Sequence, residues 1–108
     1  MNEALNLEQK SSRKVALVTG GSSGIGKSIV DELGRGGFQV YAASRSLPDF
    51  FDEPDNEKTQ PLPWLRTIRL DVNYPSQSAR TVERIIAAEG HLDILVQAAG
   101  FGIEIGRA

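Results

Sequence analysis

The sequence contains no cysteine and only one histidine, His91. The lack of cysteine excludes disulfide bonds, thiolate metal sites and cysteine nucleophiles, and a single histidine excludes a site built from several imidazoles. Twelve basic and fourteen acidic residues give a formal net charge of −2, which predicts no electrostatic capture of nucleic acid. No apolar run approaches the roughly 20 residues that span a membrane, and residues 1–14 lack the apolar core of a signal peptide. We therefore expect a cytoplasmic protein with no metal, nucleic-acid or membrane partner.

Short apolar runs alternate with segments of helical periodicity. Val15 to Val18 is apolar without alternation, which is typical of a strand covered on both faces. The runs 38–43, 65–70 and 92–96 predict three further strands. A helix is predicted from Gly24 and another from Pro75 to Gly90, and their buried faces are expected to carry Ile25, Ile29 and Leu33 in the first and Ala79, Val82 and Ile86 in the second.

Strands that alternate with helices predict parallel pairing through right-handed crossovers, hence an α/β, doubly wound parallel sheet of about four strands with flanking helices. Residues 1–13 are predicted to be a flexible N-terminal tail, and residues 14–108 to form the domain. Four prolines between residues 46 and 64 exclude one long helix there. We expect a short, acid-rich helical turn with loops instead. With the sheet truncated after strand four, the apolar edge at residues 92–96 is expected to be unpaired and open to self-association, which predicts a marginally stable chain.

The most distinctive stretch is TGGSSGIG, Thr19 to Gly26, which leaves the first strand and enters the first helix. A helix N-terminus presents unpaired N–H groups and a partial positive charge, and so binds phosphate well. We expect Gly20 to permit the sharp turn, Gly24 to let a pyrophosphate approach the backbone, and Gly26 to let the helix pack closely.

The same stretch offers an alternative reading, because residues 21–28, GSSGIGKS, match the P-loop pattern G-x-x-x-x-G-K-[ST] formally. A P-loop ATPase also needs an acid for magnesium at the end of another strand, and Asp71 is a candidate. A dinucleotide site instead needs a ribose-selecting group about 20 residues past the loop. Arg45 lies there, 19 residues beyond Gly26.

Four motifs in order distinguish the two readings: TGGSSGIG (19–26), ASR (43–45), LDV (70–72) and LDILVQAAG (92–100). Together they resemble the N-terminal half of a classical short-chain dehydrogenase/reductase, over roughly residues 14 to 104. The resemblance implies a partial Rossmann-type sheet and an oxidoreductase that moves a hydride between a nicotinamide and a carbonyl or alcohol. The P-loop pattern accounts for only one of the four motifs.

The resemblance also implies roles for particular residues. Those expected to bind the pyrophosphate are Gly20, Ser22, Ser23, Gly24, Ile25 and Gly26. Ser44 and Arg45 close the second strand, where a basic residue implies the 2′-phosphate of NADP rather than the ribose of NAD. Asp71 is expected to bind the adenine amino group and Val72 to line the ring. Ala98, Ala99 and Gly100 would pass beneath the cofactor, although the family's two asparagines are replaced by Gln97 and Ala98.

Each role has a simpler alternative. Arg45 could be a surface arginine, Asp71 a cap of the following turn, and residues 98–100 a close-packed segment. Trp64 is expected to cover the core rather than to stack on a ligand.

The family's proton donor is a tyrosine followed four residues later by lysine. Here Tyr41 is followed at that spacing by Arg45, and Tyr74 by Ser78. General acid–base catalysis needs positioned groups, so we assign no catalytic residue and expect the chemistry to depend on the family's C-terminal half. Two alternatives remain open: a non-catalytic dinucleotide- or partner-binding module, and the P-loop protein.

Overall fold

The computed structural model describes residues 13–21, 24–98 and the backbone of residues 104–106. The predicted N-terminal tail therefore lies almost wholly outside the described residues. The elements are β1 (Val15–Thr19), α1 (Gly24–Arg35), β2 (Gln39–Ser44), β3 (Leu65–Arg69), α2 (Pro75–Glu89), β4 (Ile94–Gln97) and β5 (Glu104–Gly106).

The sheet has the strand order β3-β2-β1-β4-β5, and its first four strands are parallel. This confirms the predicted Rossmann-type parallel sheet with flanking helices. All five residues of β1 are buried, because this central strand has a neighbour on each side and a layer of side chains on each face.

Alternate residues of the strands build two apolar layers. On one face Leu17, Tyr41 and Ile68 pack with Ile85 of α2. On the other face Val18 and Val40 pack with Val30 of α1. The period-2 alternation of strand side chains therefore places the two helices on opposite faces of the sheet.

The limits of α2 follow from its sequence, but its buried face differs from the prediction. Pro75 occupies the first turn, and Gly90 ends the helix at φ 93° with its N–H donating to the Ile86 carbonyl. Ala79 and Ile86, predicted to be buried, are exposed. The buried face is instead formed by Thr81, Ile85 and Glu89, two of them polar.

The buried face of α1 also differs in part from the prediction. Its buried residues are Gly26 and Val30, whereas Ile25 is 61% exposed. The prediction failed because Gly26 packs by means of its missing side chain, which a search for apolar spacing does not detect.

Residues 45–64 form no complete helix, but Glu53 N–H and Asp52 N–H both donate to the Asp49 carbonyl, which is the single acid-rich helical turn that the sequence predicts. This segment is bonded along the outer edge of β3. Phe50 N–H donates to the Thr67 carbonyl, Thr67 N–H donates to the Thr59 carbonyl, and Arg69 N–H donates to the Asp49 carboxylate. An edge strand that would otherwise be open is thus covered by a loop.

Trp64, at the end of that segment, belongs to the apolar layer on the α1 face. A Cβ added at Gly34 would lie 2.5 Å from its ring carbons, so the ring rests directly on the glycine. The prediction that Trp64 covers the core is confirmed.

The prediction that β4 has an unpaired edge is wrong. Strand β5 pairs with β4 in antiparallel register, Val96 opposite Ile105. A chain that turns back after β4 can satisfy the backbone groups of that edge locally, whereas a parallel partner would need a longer crossover. The self-association that we predicted from an open edge loses this basis and remains untested.

Candidate functional site

The candidate site lies where the carboxyl ends of the four parallel strands meet. Ligands of open α/β sheets bind at this edge. Backbone hydrogen bonds join the four strand ends to one another. They run from Gly20 N–H to the Ala43 carbonyl (2.8 Å), from Leu70 N–H to the Ser44 carbonyl (3.0 Å) and from Ala98 N–H to the Thr19 carbonyl (3.0 Å).

The described parts of the glycine-rich turn between β1 and α1, residues 20–21 and 24–26, use their glycines for backbone conformation and close packing. Gly20 has φ 74° and Gly24 φ 51°, a left-handed region that favours glycine. A Cβ on Gly26 would lie 1.9 Å from the Gly20 carbonyl oxygen, so only glycine lets the first turn of α1 approach the end of β1. Ser22 and Ser23 lie outside the described residues.

Gly21 was not among the predicted site residues, yet it is closely packed. A Cβ there would meet the Ala42 Cβ at 3.0 Å, Val30 Cγ2 at 3.2 Å and the Val18 carbonyl oxygen at 3.3 Å. The sequence signal that could have identified Gly21 was its place beside Gly20 in the glycine-rich motif. Gly21 lets the turn sit against both β2 and α1.

The first turn of α1 faces the same edge and carries no acidic residue. Its unpaired N–H groups therefore present a partial positive charge that no local carboxylate offsets. Ile25 is exposed at this point. The first turn of α1 thus offers backbone N–H donors for an anion, next to an exposed apolar side chain.

The helix start also weighs against the P-loop reading. In that motif the glycine-rich loop continues up to the Gly-Lys pair that opens the helix. Here α1 already begins at Gly24, and Gly26 and Lys27 lie inside it. Ser28 donates its hydroxyl back to the Gly24 carbonyl at 3.4 Å, as an ordinary helical serine does.

The turn after β2 carries the predicted ribose-selecting group. Ser46 N–H donates to the Ser44 hydroxyl at 3.3 Å, which fixes the turn. Arg45 is exposed between them. Among the described residues its guanidinium forms no hydrogen bond or ion pair. A cation with no internal partner is available to a ligand.

Asp71 follows β3 and shows the capping role that was the simpler alternative. Its Oδ1 accepts a hydrogen bond from Asn73 N–H at 3.0 Å, and its carbonyl accepts one from Tyr74 N–H at 3.1 Å. Its own N–H donates to Gln77 Oε1. Its Oδ2 accepts no hydrogen bond from the described residues, and Val72 beside it is 42% exposed. An acceptor and an apolar surface thus lie side by side at the end of β3.

The segment after β4 is only partly described. Ala98 is half-buried and tied to Thr19, which places a small residue next to the glycine-rich turn. Ala99 and Gly100 lie outside the described residues. The position of Ala98 agrees with both roles considered for residues 98–100, passage beneath a cofactor and close packing at the sheet edge.

A buried polar network below this edge was missed by the sequence reasoning. Tyr41 donates its hydroxyl hydrogen to Glu89 Oε2, and Arg66 Nη1 donates to the Tyr41 oxygen at 2.8 Å and to Glu89 Oε2 at 2.7 Å. The Arg66 guanidinium also lies 4.2 Å from the centroid of the Phe50 ring. Burial raises the pKa of the Tyr41 phenol well above its usual range, and the Glu89 hydrogen bond adds to the effect. Tyr41 is thus held protonated inside the fold.

Two further features of the described residues bear on the chemistry. They contain no group of three His, Asp or Glu side chains that could hold a metal ion. Across the same part of the chain, no helix combines the length and apolarity that a membrane span requires.

Comparison with known proteins identifies the family. The family model described as short chain dehydrogenase matches residues 14–107. An acetoacetyl-CoA reductase of an Acinetobacter species is 35% identical over 100 residues, covering 83% of this chain and 37% of the relative. The NADPH-dependent 1-acyldihydroxyacetone phosphate reductase of Saccharomyces cerevisiae is 33% identical, covering 85% of this chain and 31% of the relative.

Solved structures agree with these relatives. The aldohexose dehydrogenase of Thermoplasma acidophilum superposes with a TM-score of 0.63 at 29% identity, covering 82% of this chain and 30% of that one. The chain belongs to the short-chain dehydrogenase family of oxidoreductases, a family that binds nicotinamide dinucleotides. It spans about a third of the length of the curated relatives that it matches.

Proposed function

We propose that this chain forms the NADP(H)-binding part of an oxidoreductase acting on carbonyl or alcohol groups. The observation that carries the proposal is the Arg45 guanidinium, exposed at the end of β2 and without a partner among the described residues. An acid at this position would favour the ribose hydroxyls of NAD, whereas a guanidinium matches a phosphate.

The rest of the site supports the same ligand. At Gly24 an added Cβ would meet no atom within 4 Å, so a diphosphate could approach the backbone N–H groups there, and the acid-free first turn of α1 favours its charge. Ser44 would contact the adenosine ribose, Asp71 Oδ2 the adenine amino group, and Val72 the ring. When bound, the dinucleotide would supply or accept the hydride. The residues described here would bind and orient it.

The reaction class rests on the family. Acetoacetyl-CoA reductase and 1-acyldihydroxyacetone phosphate reductase are named for ketone substrates, which supports a carbonyl substrate here. Neither tyrosine of the sequence is followed by lysine four residues later, and Tyr41 is buried in the network. We therefore assign no proton donor to the residues described here. The second candidate is a dinucleotide-binding module that does no chemistry itself.

The test is a titration of the chain with NADPH, NADH and Mg-ATP, repeated with Arg45→Ala. Loss of one charge-assisted contact worth about 1.5–3 kcal/mol should weaken the binding of NADPH by about ten- to a hundredfold. The affinity for NADH should stay nearly unchanged. Arg80→Ala, on the exposed side of α2, is the matched control for loss of a positive charge. Tighter binding of Mg-ATP than of either dinucleotide would overturn the proposal. Equal affinity for NADPH and NADH in the unsubstituted chain would remove the NADP assignment.

A further inference from the structure

The turn that carries Arg45 lies next to a second arginine, Arg69, the last residue of β3. Arg69 is the register partner of Ser44 in the parallel ladder, so the two backbones are about 4.8 Å apart. Its Nε donates to the Leu47 carbonyl at 3.3 Å. The Arg69 guanidinium is therefore held against the turn formed by residues 44–47.

Within the part of the chain that the structure describes, neither arginine forms an ion pair. Among the residues that the structure describes, the ion pairs involve Arg35, Arg66 and His91, but not Arg45 or Arg69. The Asp49 carboxylate touches the Arg69 backbone, and its two oxygens accept backbone hydrogen bonds, one from Phe51 and one from Arg69 itself. The ends of β2 and β3 thus present two guanidinium groups, neither of which is ion-paired within the described residues.

Positive charges carried on neighbouring strand ends repel each other, and an anion bound nearby would offset that repulsion. The hydrogen bond to Leu47 uses only Nε and leaves the Nη groups of Arg69 available. Since Arg69 is exposed, this arrangement does not arise from core packing. It suits an anion that carries more than one negative charge.

We propose that Arg69 is a second specificity-determining residue for the 2′-phosphate of NADP(H), acting beside Arg45. The inference rests on the proposed function, since it assumes that the adenosine end of the cofactor lies over the turn after β2. Arg45 supplies the direct contact, and Arg69 adds positive potential from the neighbouring strand. Lysine at position 69 should then retain most of the effect, because charge matters more there than the fork geometry of arginine.

The experiment measures dissociation constants for NADPH and NADH with Arg69→Ala, Arg69→Lys, Arg45→Ala and the control Arg80→Ala, at low and high salt. An exposed charge pair predicts that Arg69→Ala weakens NADPH about two- to fivefold and leaves NADH unchanged. The loss should shrink at high salt because exposed charges are screened. The dissociation constant of Arg69→Lys for NADPH should lie close to that of the unsubstituted chain, and that of Arg80→Ala should equal it.

The outcomes separate this inference from the proposed function. If Arg45→Ala lowers the preference for NADPH while Arg69→Ala behaves like Arg80→Ala, the role of Arg69 is refuted and the function stands. If Arg69→Ala weakens both dinucleotides equally, Arg69 only supports the turn through Leu47, and the inference is again wrong. If the unsubstituted chain shows no preference for NADPH, both proposals fail together.

Discussion

Gly26 provides the sharpest test of how the fold shapes the candidate site. The methyl group of Gly26→Ala would lie 1.9 Å from the Gly20 carbonyl oxygen and 3.0 Å from Gly21 Cα. The neighbouring atoms are backbone, so no flexible side chain can move aside. To reach even 3.0 Å the turn must retreat by more than an ångström, taking with it the N–H groups that we propose bind the pyrophosphate.

The expected cost follows from overpacking a tight contact. Inserting a methyl group into a close-packed site costs about 1–3 kcal/mol, offset by up to about 1 kcal/mol from the better helix propensity of alanine. A net loss near 1–2 kcal/mol should lower the melting temperature of a domain of this size by about 4–16 °C. Displacement of the turn should weaken NADPH and NADH alike, because both carry the same pyrophosphate.

Thermal unfolding followed by circular dichroism measures the first effect, and dinucleotide titration the second. Gly36→Ala is the matched control, since a Cβ there would meet nothing closer than the Leu33 carbonyl oxygen at 3.4 Å and should change stability by no more than about 1 kcal/mol. If Gly26→Ala has the same melting temperature as Gly36→Ala and the same dinucleotide affinity as the unsubstituted chain, the claim that this contact shapes the site is refuted.

Two further predictions concern the scaffold. Glu89→Gln leaves Arg66 without its counter-charge and should lower the free energy of unfolding by about 2 kcal/mol. This is below the roughly 3–5 kcal/mol expected for a fully buried pair, because Arg66 keeps some solvent contact. An unchanged midpoint of urea unfolding would contradict the prediction. The Val15 N–H bond, helped by His91, lowers the pKa of Asp93 below 3.8, so its stabilisation is present above about pH 4 and is lost as the pH falls through the lowered pKa. Asp93→Asn should cost at most about 1 kcal/mol at pH 7, because the carboxylate is partly exposed. This difference should shrink as the pH falls below 4, and a difference that stays constant from pH 7 into acid would refute the prediction.

The parallel sheet could be predicted because its information is local. Apolar runs such as Val15 to Val18, each followed by a helix-forming segment, permit few topologies. The ends of α2 could also be predicted, because proline favours the first turn of a helix and glycine favours the left-handed residue that ends one, as Pro75 and Gly90 do here. The glycine-rich turn was readable for the same reason.

The buried face of α2 could not be predicted because it depends on distant partners. Glu89 is buried by hydrogen bonds from Tyr41 and Arg66, which lie 48 and 23 residues earlier in the chain. A polar side chain satisfied in this way leaves no apolar signal. The cover on β3 was missed for a similar reason, because Asp49, Thr59 and Thr67 hold it by bonds that no periodicity reveals.

The position of that network separates the scaffold from the site. Tyr41 lies within β2, three residues before Ser44 at its carboxyl end, and its phenol points into the α2 face of the sheet. Substitutions at Glu89 or Asp93 therefore test whether the sheet is stable, whereas those at Arg45 or Arg69 test which dinucleotide its edge selects. Because Ser44 and Arg69 are register partners at the end of the β2–β3 ladder, the selection that we propose depends on β2 and β3 keeping their register. A variant that loosened the network enough to shift this register would move Arg45 and Arg69 relative to each other, and should reduce the proposed preference for NADPH without touching either arginine.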